Sequence, residues 1–307
     1  MNSDMTQNNV YLGRDKSICG LPMLATGKVR DIYEVDAEHL LFVTTDRVSA
    51  FDVVMNTGIP DKGRVLTAIA EYWFENTKDI IDHHLVSTSV DDVAGLDDAA
   101  KELLRGRIML VKRAKPTSVE WVVRGYIAGS GWKEYQKSQT VCGIPLPEGL
   151  ALAQRLPEAT LTPTTKDEDH DRPLTPAEAR VVAGDELYDA AEQASLALFA
   201  RGTEVLGELG ILLADTKFEF GYVADKLILI DEALTPDSSR FWPADEYKTG
   251  ASPPSFDKQI LRDYLETLDW NKEYPAPDLD PAVMERVAAK YLEVCIKITG
   301  KTPEGMA

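Results

Sequence analysis

The stretch Ile211–Val223 constrains this chain more than any other. It reads ILLADTKFEFGYV, and after a short turn at Ala224–Asp225 a second apolar run, KLILIDEAL, follows. Period-two alternation predicts a strand with a polar and an apolar face, and the close return predicts an antiparallel hairpin. Asp215, Lys217 and Glu219 project to one face, and Phe218 and Phe220 to the other. Taken alone, that describes no more than a half-buried strand. If the turn centres on Asp225, Glu219 lies directly across from Asp231, and two opposed carboxylates repel unless a cation lies between them. A slip of one residue would put Asp231 on the aromatic face instead. A divalent metal suits such a pair, because Mg²⁺ takes one or two carboxylates and completes its shell with water and substrate phosphates.

Three further stretches share this chemistry. In LTPDSSR, Asp237, Ser238 and Ser239 suit a tight turn delivering Arg240 to the same face, and Arg can grip phosphate or carboxylate with two parallel bonds. In TGKVRDIY, Lys28 and Arg30 share one strand face, and Gly27 lets a ligand approach the backbone. In VVRGYIAGSGW, Arg124 precedes a glycine-rich turn and Ser130 opens a helix, where free N–H groups favour an anion. Each has a plain alternative: a surface ion pair for Arg240, a basic strand end for Lys28 and Arg30, a simple N-cap for Ser130. DRVSAFD, with Asp46, Arg47, Ser49 and Asp52, reads as a functional loop rather than core.

Elsewhere, KVRDIYEV, HLLFVTTD and FDVVMN are strand-like, and RVLTAIAEYWFENTKDI has helical spacing. GRIMLVKRA is a strand ended by Pro116, 157–173 reads as a long loop, and His83–His84 as a polar helix end. Thr175, Pro176 and Glu178 form a capping-box signature for a helix running to about Arg201. Ser255 is placed to cap a later helix, and Asp280–Pro281 and Gly300 bound the last one. Strands and helices are not regularly interleaved, which predicts an α+β fold. Trp73, Phe74 and Trp121 read as core.

The formal charge of −18, from 51 acidic and 33 basic residues, argues against nucleic acid and anionic membranes. No apolar run could span a bilayer. Three scattered cysteines, Cys19, Cys142 and Cys295, argue against a disulfide framework and for the cytoplasm. No P-loop is present: TGKT at 299–302 lacks its first glycine and its preceding strand. GSG at 129–131 lacks the third glycine of a dinucleotide fingerprint, no zinc spacing links the histidines, and DEDHD at 167–171 reads as a solvated acidic loop.

In order along the chain, GKVRDIY, DRVSAFDV, GIPDKGRVLT, VKRAKPTSVEWVVRGYIAGSGWKEY, GIPLPEGL, DTKFEFG, DEALTPDSSRFW and SFDKQILRDYL resemble the SAICAR synthetase family, in its longer form. The resemblance implies a two-lobed α+β fold with ATP held between the lobes. Its parts would be a smaller antiparallel β lobe (1–115) that binds the ATP phosphates, a larger α+β lobe (116–268) and a C-terminal helical extension (269–307). It implies a purine-biosynthesis ligase that joins L-aspartate to the carboxylate of CAIR through an acyl phosphate, giving SAICAR, ADP and phosphate. Carried across by position, Lys28 and Arg30 would contact the ATP phosphates, and Val111, Lys112 and Ala114 the adenine, largely through the backbone. Glu219 and Asp231 would hold Mg²⁺. Asp215 and Lys217 would act at the CAIR carboxylate, with Arg124, Ser130 and Arg240 on its phosphate, and Lys258 and Arg262 on the anionic substrates. A cytoplasmic monomer is expected. A small-molecule kinase, or a nucleotide-binding protein without turnover, would need many of the same contacts.

Overall fold

The computed structural model describes residues 10–51, 53–166, 172–256 and 259–306. The chain sorts into two compact units, one of Met1–Tyr72, Leu85–Arg113 and Asp257–Ala307, the other of Trp73–His84 and Ala114–Phe256. These are not three consecutive blocks: the C-terminal helices group with the N-terminal strands.

The first unit contains β1 (Ser17–Ile18), β2 (Leu21–Thr26), β3 (Arg30–Glu34), β4 (His39–Thr44), β5 (Arg47–Ala50), β6 (Val53–Gly58), β7 (Leu85–Ser87), the helix α2 (Asp98–Leu104) and β8 (Ile108–Lys112). Helix α1 covers Lys62–Thr77. Six strands form one antiparallel sheet in the order β1-β2-β3-β4-β8-β7, and β5 pairs with β6 separately. The β3–β4 turn forms because the Asp36 carboxylate accepts from the N–H groups of Glu38 and His39, both at 2.7 Å. Tyr33, Leu41 and Val43 then point into a fully buried core with Ile108. Lys28 departs from expectation: it is exposed in the β2–β3 turn, while Arg30 opens β3 and is buried, so they do not share a strand face. Asp46 and Arg47 are buried too, and Arg47 opens β5, so the start of DRVSAFD is not an exposed loop; its Asp52 lies outside the described residues.

The second unit contains β9 (Lys115–Pro116), β10 (Val119–Tyr126), α3 (Gly129–Ser138), β11 (Thr140–Val141), β12 (Ile144–Pro145), β13 (Arg155–Leu161), β14 (Thr164–Thr165), α4 (Pro176–Ala183), α5 (Asp185–Glu208), β15 (Ile211–Val223), β16 (Lys226–Ile230) and β17 (Ser239–Pro243). Its sheet runs β13-β10-β15-β16, with β14 against β10 and with β9 and β17 against β15. β15 is long enough for its successive parts to find different partners: its first half pairs with β17 and β10, its second with β16 and β9. Pro116 falls within β9, after β8 has already ended at Lys112. His83–His84 is no helix end: α1 stops at Thr77, His83 bridges to Leu229, and His84 is buried against Phe74.

The stretch expected to be a long loop carries β13 and β14. Leu156 and Leu161 anchor it in the interior, and Pro157 is tolerated because β13 is an edge strand. DEDHD lies outside the described residues. The capping box forms as expected, with Thr175 Oγ1 accepting from Glu178 N and Glu178 accepting from Thr175 N. The helix nevertheless breaks at Gly184, whose φ of 83° ends α4 before α5 begins. Ser255 donates to the Phe241 carbonyl at 3.0 Å, and residues 257 and 258, between it and the next helix, lie outside the described residues.

Helices α6 (Gln259–Glu266) and α7 (Pro281–Thr299) complete the first unit. Asp280 caps α7 through Ala282 N, and Gly300 ends it in the left-handed conformation. All three cysteines are free. Among the described residues no helix is long and apolar enough to cross a membrane.

Candidate active site

β15 carries the polar cluster of the second unit. The register sets Asp215 against Arg124 of β10 and Arg240 of β17, and Lys217 against Val122. The faces separate as the alternation requires. Phe218 and Phe220 are buried on one side with Trp121, whose ring centroid is 6.4 Å from that of Phe220 and 5.6 Å from that of Tyr188.

On the other side, Asp215 Oδ2 accepts from Arg124 Nη1 at 2.9 Å and from Arg240 Nη1 at 2.5 Å. Arg124 also donates to Thr162 Oγ1 (3.0 Å) and Ser130 Oγ (3.4 Å). Asp215 is thus fastened to the two arginines expected at a phosphate. Ser130 is the second residue of α3, not its cap; Ala128 holds the cap position and offers no side-chain bond. Two glycines let the arginines lie against this helix end. A Cβ at Gly129 would stand 2.4 Å from Arg240 Nη2, and one at Gly131 would stand 3.3 Å from Arg124 Nε. Burial pushes the Arg124 guanidinium below its ordinary pKa although Asp215 opposes the shift, and Arg240 adds repulsion. Two guanidiniums sharing one carboxylate at a helix N-terminus leave net positive charge, which an incoming anion would neutralise.

A second polar group lies further along the strand. Lys217 Nζ donates to Glu120 Oε1 at 2.7 Å and Glu219 Oε1 at 3.3 Å, while Lys166 pairs with Glu219 Oε2. Burial works against the Lys217 ammonium, but Glu219, Glu120 and Asp231 outweigh it and raise its pKa. The surrounding carboxylates thus favour the charged ammonium of Lys217.

Asp231 reaches this group by a route other than the expected one. The turn is closed by two left-handed residues, Ala224 (φ 47°) and Asp225 (φ 63°), so Val223 pairs with Lys226 and Glu219 faces Ile230. Asp231 lies just past the end of β16 with φ 63°, and this bend, not cross-strand opposition, brings its charge within reach of Lys217. Both Glu219 oxygens accept from ammonium groups, and Asp231 adds its negative charge near Lys217, so the two carboxylates share a cationic neighbour. Among the described residues no group of three or more His, Cys, Asp or Glu side chains could enclose a metal. A pair of carboxylates fits Mg²⁺, which keeps water or phosphate in its other positions.

In the first unit, Val111 is fully buried in β8 and Lys112 ends that strand exposed; Ala114 opens the second unit's long segment and is half-buried. Arg262 lies on α6, and Lys258 is outside the described residues. Glu120, Thr162 and Lys166 escaped the sequence reading. Glu120 had a signal, because counting back by twos from Arg124 puts it on the polar face; Lys166 had none.

Residues 23–277 match the family model described as SAICAR synthetase. A protein of Syntrophotalea carbinolica named phosphoribosylaminoimidazole-succinocarboxamide synthase is 53% identical, over 92% of this chain and 96% of its own length. A Saccharomyces cerevisiae SAICAR-synthase, solved complexed with SAICAR, superposes with a TM-score of 0.84 at 42% identity, covering 92% of this chain and 96% of that one. A SAICAR synthetase solved in complex with ADP shares the fold, with a TM-score of 0.67 at 23% identity, covering 91% of this chain and 99% of that one.

Proposed function

The chain belongs to the SAICAR synthetase family, and from that premise we propose that it joins L-aspartate to the carboxylate of CAIR at the expense of ATP, giving SAICAR, ADP and phosphate. The observation that carries the reading is the order of charges along one face of β15. An arginine pair clamped by Asp215 at a helix N-terminus is followed by Lys217 among Glu120, Glu219 and Asp231. That face offers one place for a phosphate and a neighbouring place where a carboxylate can be activated.

Arg124, Arg240, Ser130 and the first amides of α3 hold the CAIR phosphate. Asp215 keeps the two guanidiniums in position, so its part is orientation more than proton transfer. Lys217 neutralises the CAIR carboxylate as it accepts the γ-phosphoryl group, which turns a poor electrophile into an acyl phosphate. The amine of aspartate then attacks the carbonyl carbon and phosphate leaves. Positioning and charge neutralisation dominate such transfers. Glu219 and Asp231 would hold Mg²⁺, which when bound supplies charge neutralisation on the ATP phosphates. In the first unit, Lys28 and Arg30 contact those phosphates, Val111 and Lys112, with Ala114, frame the adenine, and Lys258 and Arg262 attract the anionic substrates. The enzyme acts as a cytoplasmic monomer.

The test is coupled ADP release with CAIR and aspartate supplied separately and together. Release is expected only with both present. A stable phosphorylated product formed without aspartate would make the protein a kinase, and no release under any combination would make it a binding protein. Glu219→Ala and Asp231→Asn should each lower kcat by at least about 100-fold, a loss of the size seen when a charge-stabilising group is removed. Near wild-type turnover in either folded variant would refute its assignment.

A further inference from the structure

The β2–β3 turn, Gly27-Lys28-Val29, is shaped from beneath by a buried arginine outside the resemblance's set of site residues. Arg47 is 2% exposed and pairs with Asp31, which is fully buried. That pairing uses only part of its guanidinium. Arg47 Nη2 also donates to the Gly27 carbonyl at 3.0 Å, Nε to the Lys28 carbonyl at 3.3 Å, and Nη1 to the Leu12 carbonyl at 2.6 Å. The next carbonyl, Val29, accepts from both Thr45 N (2.9 Å) and Thr45 Oγ1 (2.7 Å). Three consecutive carbonyls are therefore drawn inward by two adjacent stretches of side chain and backbone.

In a trans peptide the N–H points opposite to the C=O. Drawing the Gly27 and Lys28 carbonyls inward turns the amide N–H groups of Lys28 and Val29 to the opposite, outer side, where the Lys28 side chain is exposed. Successive outward amides beside a lysine make an anion-binding concavity. Gly27 agrees with this. Its φ is outside the left-handed region, and a Cβ there would meet only the Arg30 carbonyl oxygen, at an ordinary 3.5 Å. The protein's own packing does not demand glycine at 27; close approach of a ligand to the outer side would.

We propose that Arg47, with Thr45, is a positioning residue for nucleotide binding: it holds the Gly27–Val29 carbonyls inward so that the turn presents amides and Lys28 to the polyphosphate of ATP. This rests on the reading of Lys28 as a phosphate contact. Lysine cannot substitute, because a single ammonium lacks the planar fork that reaches carbonyls in several directions.

The experiment measures ADP affinity by calorimetry, with KM for ATP, CAIR and aspartate, in Arg47→Lys, Thr45→Val and Lys28→Ala. Arg47→Lys keeps a charge opposite Asp31. It should weaken ADP binding and raise KM for ATP about tenfold, leaving KM for CAIR and aspartate within about twofold, the size expected when one or two hydrogen bonds are lost. Thr45→Val removes a single hydroxyl and should cost about threefold; it carries the test alone if Arg47→Lys does not fold. Unchanged ADP affinity in both variants, with Lys28→Ala weakened, would overturn the positioning role while leaving the phosphate site intact. Unchanged affinity in Lys28→Ala would overturn the site itself and the proposal with it. A purely structural Arg47 would lower thermal stability and leave the ATP-to-CAIR ratio of KM values unmoved.

Discussion

Replacing Gly129 with alanine tests whether the arginine pair of the second unit is a phosphate receptor. The added Cβ would stand 2.4 Å from Arg240 Nη2. Restoring ordinary contact moves the guanidinium back by about 1 Å, which stretches its 2.5 Å bond to Asp215 to about 3.5 Å, beyond hydrogen-bonding range. A hydrogen bond between charged groups contributes about 1.5–3 kcal/mol. If Arg240 is displaced from the ligand by the same movement, KM for CAIR should rise about 10- to 100-fold. The alanine also sits at φ +56°, which costs about 1–2 kcal/mol of stability whatever the function. Gly149→Ala separates the two effects. Gly149 has φ +75° with nothing within 4 Å of its would-be Cβ, so it carries the backbone strain without the collision. The assay is coupled ADP release at varied CAIR and varied ATP, alongside thermal unfolding of both variants. Equal KM values for CAIR in the two variants would refute the assignment of Arg240 to the substrate phosphate.

Two other expectations follow from the same networks. Glu120→Gln keeps the shape of the Lys217 partner but removes its charge, and kcat/KM should fall about tenfold as a charge-assisted bond becomes a neutral one; an unchanged value in steady-state kinetics would remove Glu120 from the site. Asp31 sets an acid limit on the first unit. Burial pushes its carboxyl pKa up, but hydrogen bonds from Arg47, Thr26 and the Arg14 amide outweigh that and hold it below the ordinary value. The unfolded chain therefore takes up the proton first, near pH 4. The stabilisation is complete above that pH and is lost as pH falls further, through the folded-state pKa. Urea midpoints measured from pH 6 down to pH 3 should fall more steeply for wild type than for Asp31→Asn, and parallel slopes would contradict the argument.

What could be read beforehand was whatever depends on neighbours in sequence. The two faces of β15, the Thr175–Glu178 capping box and both ends of α7 are local patterns, and they appear as expected. The register of β15 against β16 was off by one residue because it depends on the turn. Two left-handed residues place the hairpin's centre between Ala224 and Asp225, and the alternation cannot distinguish that from a centre on Asp225. The break at Gly184 was hidden because one glycine within a helical pattern is often tolerated. Arg47 looked like a loop residue because Asp31 and the carbonyls that surround it arrive from β3, the β2–β3 turn and the segment before β1. Lys166 meets Glu219 from 53 residues away, a distance no local pattern spans.

β13 has one flank against β10 and the other without a strand among the described residues. A stranger's backbone docking there would find no amide proton at Pro157, and it would meet the charged side chains of Arg155 and Glu158 on either side. The same imide that made the segment read as irregular thus makes this border of the large sheet a poor template for one more strand.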